Sequence, residues 1–223
     1  MSDDRAPPLR LLLREPFAVL SRLHRGFGSL APRGPRDGQP VLVIPGFGAS
    51  DRATLGLQRA LAAAGFRVAG WGMGFNLGTK ADTLDRIIAR LETFAAGRPA
   101  VLVGWSLGGL FAREVAKRRP ELVAKVVTLG TPFSGDPRAN NAWRLYELVA
   151  GHPVDRPPIE AEVGIKPPVP TIALWSRRDG MVAPSCARGL DEQSDARIEM
   201  GCSHMGFATS KRAWPAIIAA VRG

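Results

Sequence analysis

The sequence is poor in cysteine, in histidine and in long apolar runs. Its 223 residues include only 2 cysteines and 3 histidines. These are too few for a disulfide-rich secreted framework, and their spacing does not fit a zinc site or any other metal site. No apolar run approaches the roughly 20 residues that a membrane-spanning helix requires. We therefore expect no metal, no other cofactor and no transmembrane segment.

Acidic residues are also scarce beside basic ones, with 20 Asp and Glu against 30 Lys and Arg, for a net charge of +10. The arginines are spread along the chain, with denser groups at 5–36 and at 117–119. A nucleic-acid-binding protein usually concentrates such charge on one face or helix. We interpret the excess as a basic surface and expect no nucleic-acid partner, with attraction to an anionic lipid or polymer as the alternative.

The N-terminal stretch lacks the positive start and the unbroken apolar core of a secretory signal, which favours a cytoplasmic protein. Residues 9–24 can form a short amphipathic helix. We expect this helix to pack on the domain, and at most peripheral contact with a membrane surface is the alternative. Gly and Pro at 31–40 separate an N-terminal preamble, residues 1–38, from a main domain at 39–223.

Beyond residue 39, short apolar runs alternate with amphipathic segments. The runs predict six strands, at 41–47, 66–72, 100–105, 123–130, 169–176 and 196–202. Helices are predicted near 51–64, 80–96, 107–119 and 213–222. Because continuous apolar strands are typical of a sheet covered on both faces, the pattern predicts an α/β fold with a doubly wound, mostly parallel sheet. A Pro-rich insertion at about 134–170, with a helix candidate at 138–149, predicts a small cap or lid.

A candidate nucleophile lies in Gly104-Trp105-Ser106-Leu107-Gly108, which fits the pattern G-x-S-x-G. The pattern alone is weak, but here it lies between an apolar strand and an amphipathic helix. A sharp turn at that point lifts the Ser106 hydroxyl above the sheet and puts the Leu107 N–H at a helix N-terminus. The alternative is a Gly-rich turn in which the serine only caps the helix.

A serine nucleophile needs a base and an orienting acid. His204 follows the last predicted strand, whereas the other two histidines lie in the preamble and in the insertion. Asp179 follows the preceding strand, which gives the chain order Ser106, Asp179, His204. We predict these three as a catalytic triad, with Asp136, also past a strand end, as the alternative acid.

The second donor to a developing oxyanion is expected in the loop after the first core strand, Pro45-Gly46-Phe47-Gly48. Its glycines let the chain bend inward, so the Phe47 N–H can point at the oxyanion with the Leu107 N–H as its partner.

These motifs resemble those of the α/β-hydrolase superfamily, in particular lipase-like and esterase-like serine hydrolases. The resemblance covers about 39–223 and is carried by the oxyanion loop, the serine motif, Thr128-Leu129-Gly130-Thr131-Pro132, Asp179-Gly180 and Ser203-His204. It implies cleavage of carboxylic esters through an acyl-enzyme. The chain departs from the common pattern at Pro45 and Trp105, where histidine is usual, and lacks the first two antiparallel strands of the full fold. None of these departures removes a catalytic group.

Apolar residues near predicted strand ends are candidates for a substrate pocket: Trp71, Phe75, Trp105, Phe133 and Met205, with Asn76 as a polar contact. An apolar pocket under a short cap suits a small-molecule or lipid ester with a medium or long acyl chain. An acyltransferase or thioesterase would use the same triad. The alternative from another class is a catalytically silent scaffold that acts as a binding module.

The two cysteines, Cys186 and Cys202, lie after Asp179 and just before His204. A disulfide between them would brace the acid and histidine loops, whereas cytoplasmic redox conditions favour free thiols. Both states remain open at this level.

Overall fold

The computed structural model describes residues 5–13, 15 and 31–223 of the chain. The strands are β1 (Pro40–Ile44), β2 (Arg67–Gly70), β3 (Ala100–Trp105), β4 (Val123–Leu129), β5 (Thr171–Trp175) and β6 (Ala196–Glu199). The α-helices are α1 (Leu9–Leu12), α2 (Asp51–Ala63), α3 (Thr83–Ala95), α4 (Leu107–Arg118), α5 (Trp143–Ala150), α6 (Pro184–Arg188), α7 (His204–Thr209) and α8 (Trp214–Arg222). Short 3₁₀ turns lie at Pro120–Leu122 and Asp191–Gln193.

The six strands form one parallel sheet in the order β2-β1-β3-β4-β5-β6. The chain moves from β1 outward to β2, then crosses to β3 and continues in the opposite direction. The strand order therefore reverses between β1 and β3, and in α/β sheets ligands bind beside the carboxyl ends of strands at such a point. This architecture confirms the predicted doubly wound parallel sheet.

Both faces of the sheet are covered by helices, which explains why its strands are apolar throughout. All five residues of β1 are buried. Val41 and Val43 belong to a core that includes α2, α7 and α8, whereas Leu42 and Ile44 belong to a second core with α3 and α4. Because side chains alternate between the faces of a strand, a central strand with two cores needs an apolar residue at every position.

Five of the six strands end earlier than predicted, whereas β3 ends at the predicted residue, Trp105. The first was predicted to reach residue 47 and ends at Ile44, and the second was predicted to reach residue 72 and ends at Gly70. In both cases the apolar run continues past the strand into a loop at the carboxyl edge of the sheet. Strand ends at this edge give way to loops that surround the candidate site.

Residues 134–170 connect β4 to β5, and we call them the cap segment. Its regular element is α5, which begins five residues later than the predicted helix at 138–149. The rest of the segment consists of turns and irregular chain, with an antiparallel bridge from Asn140 to Val182. The cap segment takes the place that a crossover helix occupies in the other connections of this sheet.

Part of the predicted preamble lies directly on the domain. We call residues 5–13 and 15 the N-terminal segment. A Cβ placed on Gly180 would lie 2.5 Å from the carbonyl carbon of Leu11, so the backbone of α1 contacts this loop directly. Asn141 Nδ2 also donates to the Pro7 carbonyl over 3.0 Å. Residues 14 and 16–24 of the predicted helix lie outside the described residues.

In the parts of the chain that the structure describes, no helix is both long enough and apolar enough to cross a membrane.

Candidate active site

Ser106 stands at a sharp turn between β3 and α4, in a strained backbone conformation. Its φ is 54° and its ψ is −123°, a region that residues other than glycine rarely adopt. Such a conformation costs on the order of 1–3 kcal/mol and persists only where the surroundings impose it. Here the Ser106 N–H donates to the Leu129 carbonyl over 2.8 Å, and the Thr131 hydroxyl donates to the Ser106 carbonyl over 3.0 Å. Both backbone groups of Ser106 are thus fixed by β4 and the loop after it.

The glycines that flank the serine are required by close backbone contacts. A Cβ on Gly104 would lie 2.4 Å from the Gly108 carbonyl oxygen. A Cβ on Gly108 would lie 2.4 Å from the Ile44 carbonyl oxygen. These neighbours are backbone atoms, which cannot rotate away as a side chain can. The spacing G-x-S-x-G therefore reflects the contact of the turn with itself and with β1.

His204 and Asp179 are hydrogen-bonded to each other at the carboxyl edge of the sheet. His204 Nδ1 and Asp179 Oδ2 lie 2.8 Å apart, and the two residues are 3% and 1% exposed. The other carboxylate oxygen, Oδ1, accepts the N–H groups of Met181 and Val182 over 2.8 Å each. These two bonds fix the carboxylate so that Oδ2 faces the imidazole.

The protonated form of His204 is favoured by two nearby carboxylates. Burial of the ring opposes its charged form, but the charge and hydrogen bond of Asp179 and the charge of Glu15 outweigh that effect, and the pKa of His204 is raised above its ordinary value. An imidazole whose charged form is stabilised in this way is suited to accept a proton.

Trp105, the residue before the serine, connects the strand β3 to the histidine. Its Nε1 donates to the His204 carbonyl over 3.1 Å, and the two rings lie 5.7 Å apart between centroids. The hydrogen bonds of the described residues do not include one from the Ser106 hydroxyl to the His204 ring. In active sites without substrate this bond is often long, and it shortens when the substrate binds.

The N–H groups of Phe47 and Leu107 are available beside the serine. Phe47, Ser106 and Leu107 line the same cavity. Within the part of the chain that the structure describes, neither N–H donates to a carbonyl or a side chain. Leu107 is the first residue of α4, whose N-terminal N–H groups have no partner within the helix. Two free donors on adjacent strand ends can bind one negatively charged oxygen.

Asn76 holds the loop that carries Phe47. It is fully buried, and its Nδ2 donates to the Pro45 carbonyl over 2.9 Å. Its backbone N–H donates to the Ala49 carbonyl over 2.8 Å, and its carbonyl accepts the Gly48 N–H over 2.7 Å. Both sides of Phe47 are thus tied to the loop after β2.

A cavity of about 140 Å³ opens beside Ser106 and extends along α4. One wall is the face of α4 formed by Leu107, Leu110, Phe111 and Glu114, which follow the spacing of a single helix face. Much of the remaining wall belongs to the cap segment, which contributes Trp143, Tyr146 and Ile159 among others. The wall is predominantly apolar, and a substrate group inside it would lie between α4 and the cap.

Arg113 of α4 anchors the cap segment from below. It is fully buried, and its guanidinium donates to the carbonyls of Val163, Ile165 and Gln193, each over 3.1 Å. Its charged group also lies 4.2 Å from the centre of the Phe133 ring. Burial lowers the pKa of Arg113 to about 10, so the group remains charged near neutral pH.

The basic group at 117–119 is used within the chain. Lys117 Nζ donates to the Glu162 carbonyl over 2.7 Å, and Arg118 donates to the Glu160 carbonyl over 3.4 Å. Arg119 forms ion pairs with glutamates of α3 and of the 3₁₀ turn that follows α4. This dense spot of charge on α4 therefore contacts the cap and neighbouring turns.

Asp136, the alternative acid, lies away from the histidine. Its Oδ1 accepts the Arg138 N–H over 2.8 Å in an exposed turn of the cap segment. The structure thus joins His204 to Asp179 and not to Asp136.

The side chains predicted to bind substrate lie outside the wall of the cavity. Phe75 is 66% exposed and Met205 is partly buried. The other four side chains are buried: Trp71, Asn76, Trp105 and Phe133. Trp71 and Trp105 fill the space between the sheet and its helices, and Phe133 packs against Arg113, while α4 and the cap segment form much of the cavity wall.

No disulfide joins Cys186 and Cys202, so the disulfide considered from the sequence is absent. Cys186 packs in a small apolar cluster with Trp175 and Val182. Burial, reinforced by the Asp179 charge, raises the pKa of Cys202 to about 12, so that thiol is protonated at neutral pH. In the described residues no group of three or more His, Cys, Asp and Glu side chains is placed to hold a metal ion.

Sequence reasoning missed three residues of this region: Glu15, Arg113 and Tyr146. Tyr146 is the only tyrosine of the chain, and its hydroxyl donates to Thr79 Oγ1 over 3.0 Å while its ring lies 5.2 Å from that of Phe47. The one signal in the sequence was that the only tyrosine of the chain lies in the predicted insertion. Nothing local distinguishes Glu15 or Arg113 from the other charged residues.

Comparison with known proteins gives a family match over more than half of the chain. A model of the family described as "alpha/beta hydrolase fold" matches residues 39–154. A curated relative, the biotin biosynthesis bifunctional protein BioHC of Teredinibacter turnerae, is 37% identical over 60 residues. That match covers 27% of this chain and spans 10% of the length of the relative.

Solved structures share the fold at low sequence identity. Naproxen esterase (carboxylesterase NP) of Bacillus subtilis has a TM-score of 0.60 and 13% identity, with 100% of this chain and 99% of that chain covered. A structure from the study of the metagenome-derived lipolytic enzymes LipS and LipT has a TM-score of 0.64 and 17% identity, with 86% and 96% covered. The thioesterase domain from the curacin biosynthetic pathway has a TM-score of 0.60 and 16% identity, with 86% and 93% covered. These likenesses concern the fold alone.

Proposed function

This chain belongs to the α/β-hydrolase fold family, and from that premise we propose that it is a serine hydrolase that cleaves carboxylic esters with an apolar acyl group. The observation that carries the proposal is the strained Ser106 at the mouth of an apolar cavity, beside a buried His204–Asp179 pair. A backbone strain of this kind, at the meeting point of a cavity and a buried acid–base pair, is typical of a nucleophile.

In the proposed reaction, Ser106 Oγ attacks the ester carbonyl carbon while His204 Nε2 accepts the hydroxyl proton. Asp179 accepts the hydrogen bond from Nδ1, which keeps the reactive tautomer and stabilises the imidazolium. The N–H groups of Phe47 and Leu107 bind the oxygen on which negative charge develops. His204 then donates the proton to the leaving alcohol, and water releases the acyl group from Ser106 by the same steps.

The cavity supports an apolar acyl group of medium length. The wall along α4 runs from Ser106 to Glu114, about 12 Å at a helix rise of about 1.5 Å per residue. An acyl chain on the Ser106 ester would extend along this wall beneath the cap segment. Since the wall is predominantly apolar, burial of each methylene group favours binding by about 0.8 kcal/mol.

The test is labelling with a fluorophosphonate followed by peptide mass mapping. We expect one adduct, on Ser106 of the wild-type protein, and none in His204→Ala. Ser106→Ala is expected to lower kcat on p-nitrophenyl esters by about 10⁴-fold or more with the fold retained. Ser210→Ala, which changes a serine outside the cavity, serves as the matched control and should behave as wild type.

A chain-length panel then tests the acyl group. We expect kcat/KM to rise from acetyl to medium-chain esters as methylene groups enter the cavity. The panel includes acyl thioesters and an added acceptor alcohol, because a thioesterase or acyltransferase would use the same atoms. A folded protein that gives no adduct on Ser106 would contradict the proposal and favour a silent binding scaffold.

A further inference from the structure

A buried carboxylate of the N-terminal segment bonds to the two loops that carry the histidine and the aspartate. Glu15 is 4% exposed. Its Oε1 accepts the N–H groups of Gly180 and His204, each over 2.9 Å. Its Oε2 accepts the N–H of Met205 over 2.9 Å. Gly180 follows Asp179 directly, so these three bonds reach the backbone beside both members of the acid–base pair.

The three contacts are stronger than ordinary surface contacts. Hydrogen bonds to an ionised acceptor are shorter and roughly twice as strong as those between neutral groups. Among the described residues, Glu15 forms no ion pair with a lysine or arginine. Its buried charge is therefore compensated by backbone N–H groups of the two loops.

The N-terminal segment is also held at other points. The Asn141 side chain donates to the Pro7 carbonyl and, over 2.7 Å, to the Gly180 carbonyl. The backbone of Leu11 lies against Gly180, where even a methyl group would not fit. Glu15 thus belongs to a segment that also contacts the loop after Asp179 at Leu11.

We propose that Glu15 is a positioning residue, which holds the loops of His204 and Asp179 in register so that the imidazole faces Ser106. The inference rests on the proposed function, because register of the two loops matters to a reaction only if that pair acts in it. The residues that support the acid–base pair then include one from outside the 39–223 domain. Supporting residues around a reactive histidine typically change activity by about 10-fold to 100-fold when they are removed.

The charge of Glu15 gives a second, independent observable. The charged and titratable groups that bear on His204 are Asp179, Glu15 and the Cys202 thiol, and that thiol is neutral because its pKa is about 12. Removal of the Glu15 charge takes away one group that favours the imidazolium, so the pKa of His204 should fall. An exposed carboxylate that does not act on His204, such as Glu192, leaves this pKa unchanged when its charge is removed.

The experiment compares Glu15→Gln and Glu15→Ala with Glu192→Gln, which changes an exposed carboxylate. For Glu15→Gln we expect kcat to fall by about 10-fold with KM within about twofold of wild type. The fall in kcat should be larger for Glu15→Ala, and the kcat of Glu192→Gln should equal that of wild type. The acid limb of the kcat profile should move to lower pH in Glu15→Gln. Thermal unfolding of each variant corrects kcat for the folded fraction.

The titration of the His204 ring by NMR separates this inference from the proposed function, because it requires no turnover. With only 3 histidines, the ring signals are readily assigned by substitution. A lower His204 pKa in Glu15→Gln than in wild type, together with the loss of kcat, supports the positioning role. An unchanged kcat per folded molecule or an unchanged His204 pKa overturns it. If the wild-type protein fails to label at Ser106, the proposed function fails and the positioning role with it, even where the titration shows that Glu15 acts on His204.

Discussion

Two regions of the candidate site are held in place by different means. One is the turn at Ser106, which we call the floor, and the other is the cap segment. On the floor, the Ser106 N–H donates to the Leu129 carbonyl of β4, the Ser106 carbonyl accepts the Thr131 hydroxyl, and Gly108 lies directly against β1. The cap is held by a few long side chains of α4, such as Arg113 and Lys117, which reach carbonyls 45 to 52 residues further along the chain. The floor therefore follows from local motifs and sheet topology, whereas the cap depends on a few long side chains.

This difference predicts two classes of variant. Changes on the floor should lower kcat for every substrate, because they affect the reacting atoms. Changes that loosen the cap should raise KM for long acyl chains and leave short esters nearly unaffected, because only long chains need the outer wall.

The largest effect is expected on the floor, from Asp179→Asn. The amide would favour the wrong tautomer of His204, and kcat should fall by about 10⁴-fold for acetyl and longer esters alike. Asp136→Asn, which changes the exposed carboxylate on the cap segment, is the matched control and should retain full activity. Steady-state kinetics on both esters decides the matter, and the assignment of the acid would be wrong if Asp136→Asn were the damaging change.

A second large effect is expected on lowering the pH. His204 must be neutral to accept a proton, and its raised pKa keeps it protonated to a higher pH than an ordinary imidazole. The acid limb of kcat/KM should therefore have its midpoint above about 6.5, the ordinary histidine value, with activity lost as pH falls through it. The midpoint should be the same for short and long esters. An acid limb well below that value would contradict the electrostatic arrangement.

A smaller and selective effect is expected from Arg113→Met in the anchor of the cap. The substitution removes three hydrogen bonds from a buried guanidinium to partly buried carbonyls, which should cost about 3 kcal/mol of stability. We expect KM for a medium-chain ester to rise by about 10-fold, with acetyl ester kinetics nearly unchanged. Urea unfolding and a two-substrate comparison measure these effects, with Arg119→Met on the surface as the control. An equal rise in KM for both esters would contradict the distinction between floor and cap.

The smallest effect is expected from Tyr146→Phe, which keeps the cavity wall and removes the contacts of the hydroxyl with Thr79, in the loop before α3, and with His152. Loss of the bond from the hydroxyl to Thr79 should cost about 1 kcal/mol and raise KM for the medium-chain ester by about threefold. The ring contact with Phe47 remains. A fall in kcat for acetyl ester would instead mean that Tyr146 supports the oxyanion loop.

The sheet could be predicted from the sequence because burial on both faces makes each strand an uninterrupted apolar run. The placement of Ser106, Asp179 and His204 at one edge could be predicted because parallel strands bring their carboxyl ends together. The cavity wall could not be predicted in this way. An apolar residue at a strand end has the same local pattern whether it fills a core, as Phe133 does, or lines a cavity.

The sequence around Arg113 and around Glu15 likewise gives no indication of their roles. Each depends on carbonyl or N–H groups that only the folded chain brings into reach. A buried arginine in an amphipathic helix and a glutamate in an N-terminal stretch both look like solvated surface residues in sequence.

The contact between Glu15 and Met205 joins residues 190 positions apart. Closure of so large a loop has an entropic cost that precedes the stabilising contacts, and long-range contacts of this kind slow folding. A chain that has already assembled β1 to β4 and formed the turn at Ser106 would still lack an ordered acid and base. Hydrolytic competence would thus be acquired at the end of folding, and recovery of activity should lag behind recovery of helical structure when the denatured protein is returned to native conditions.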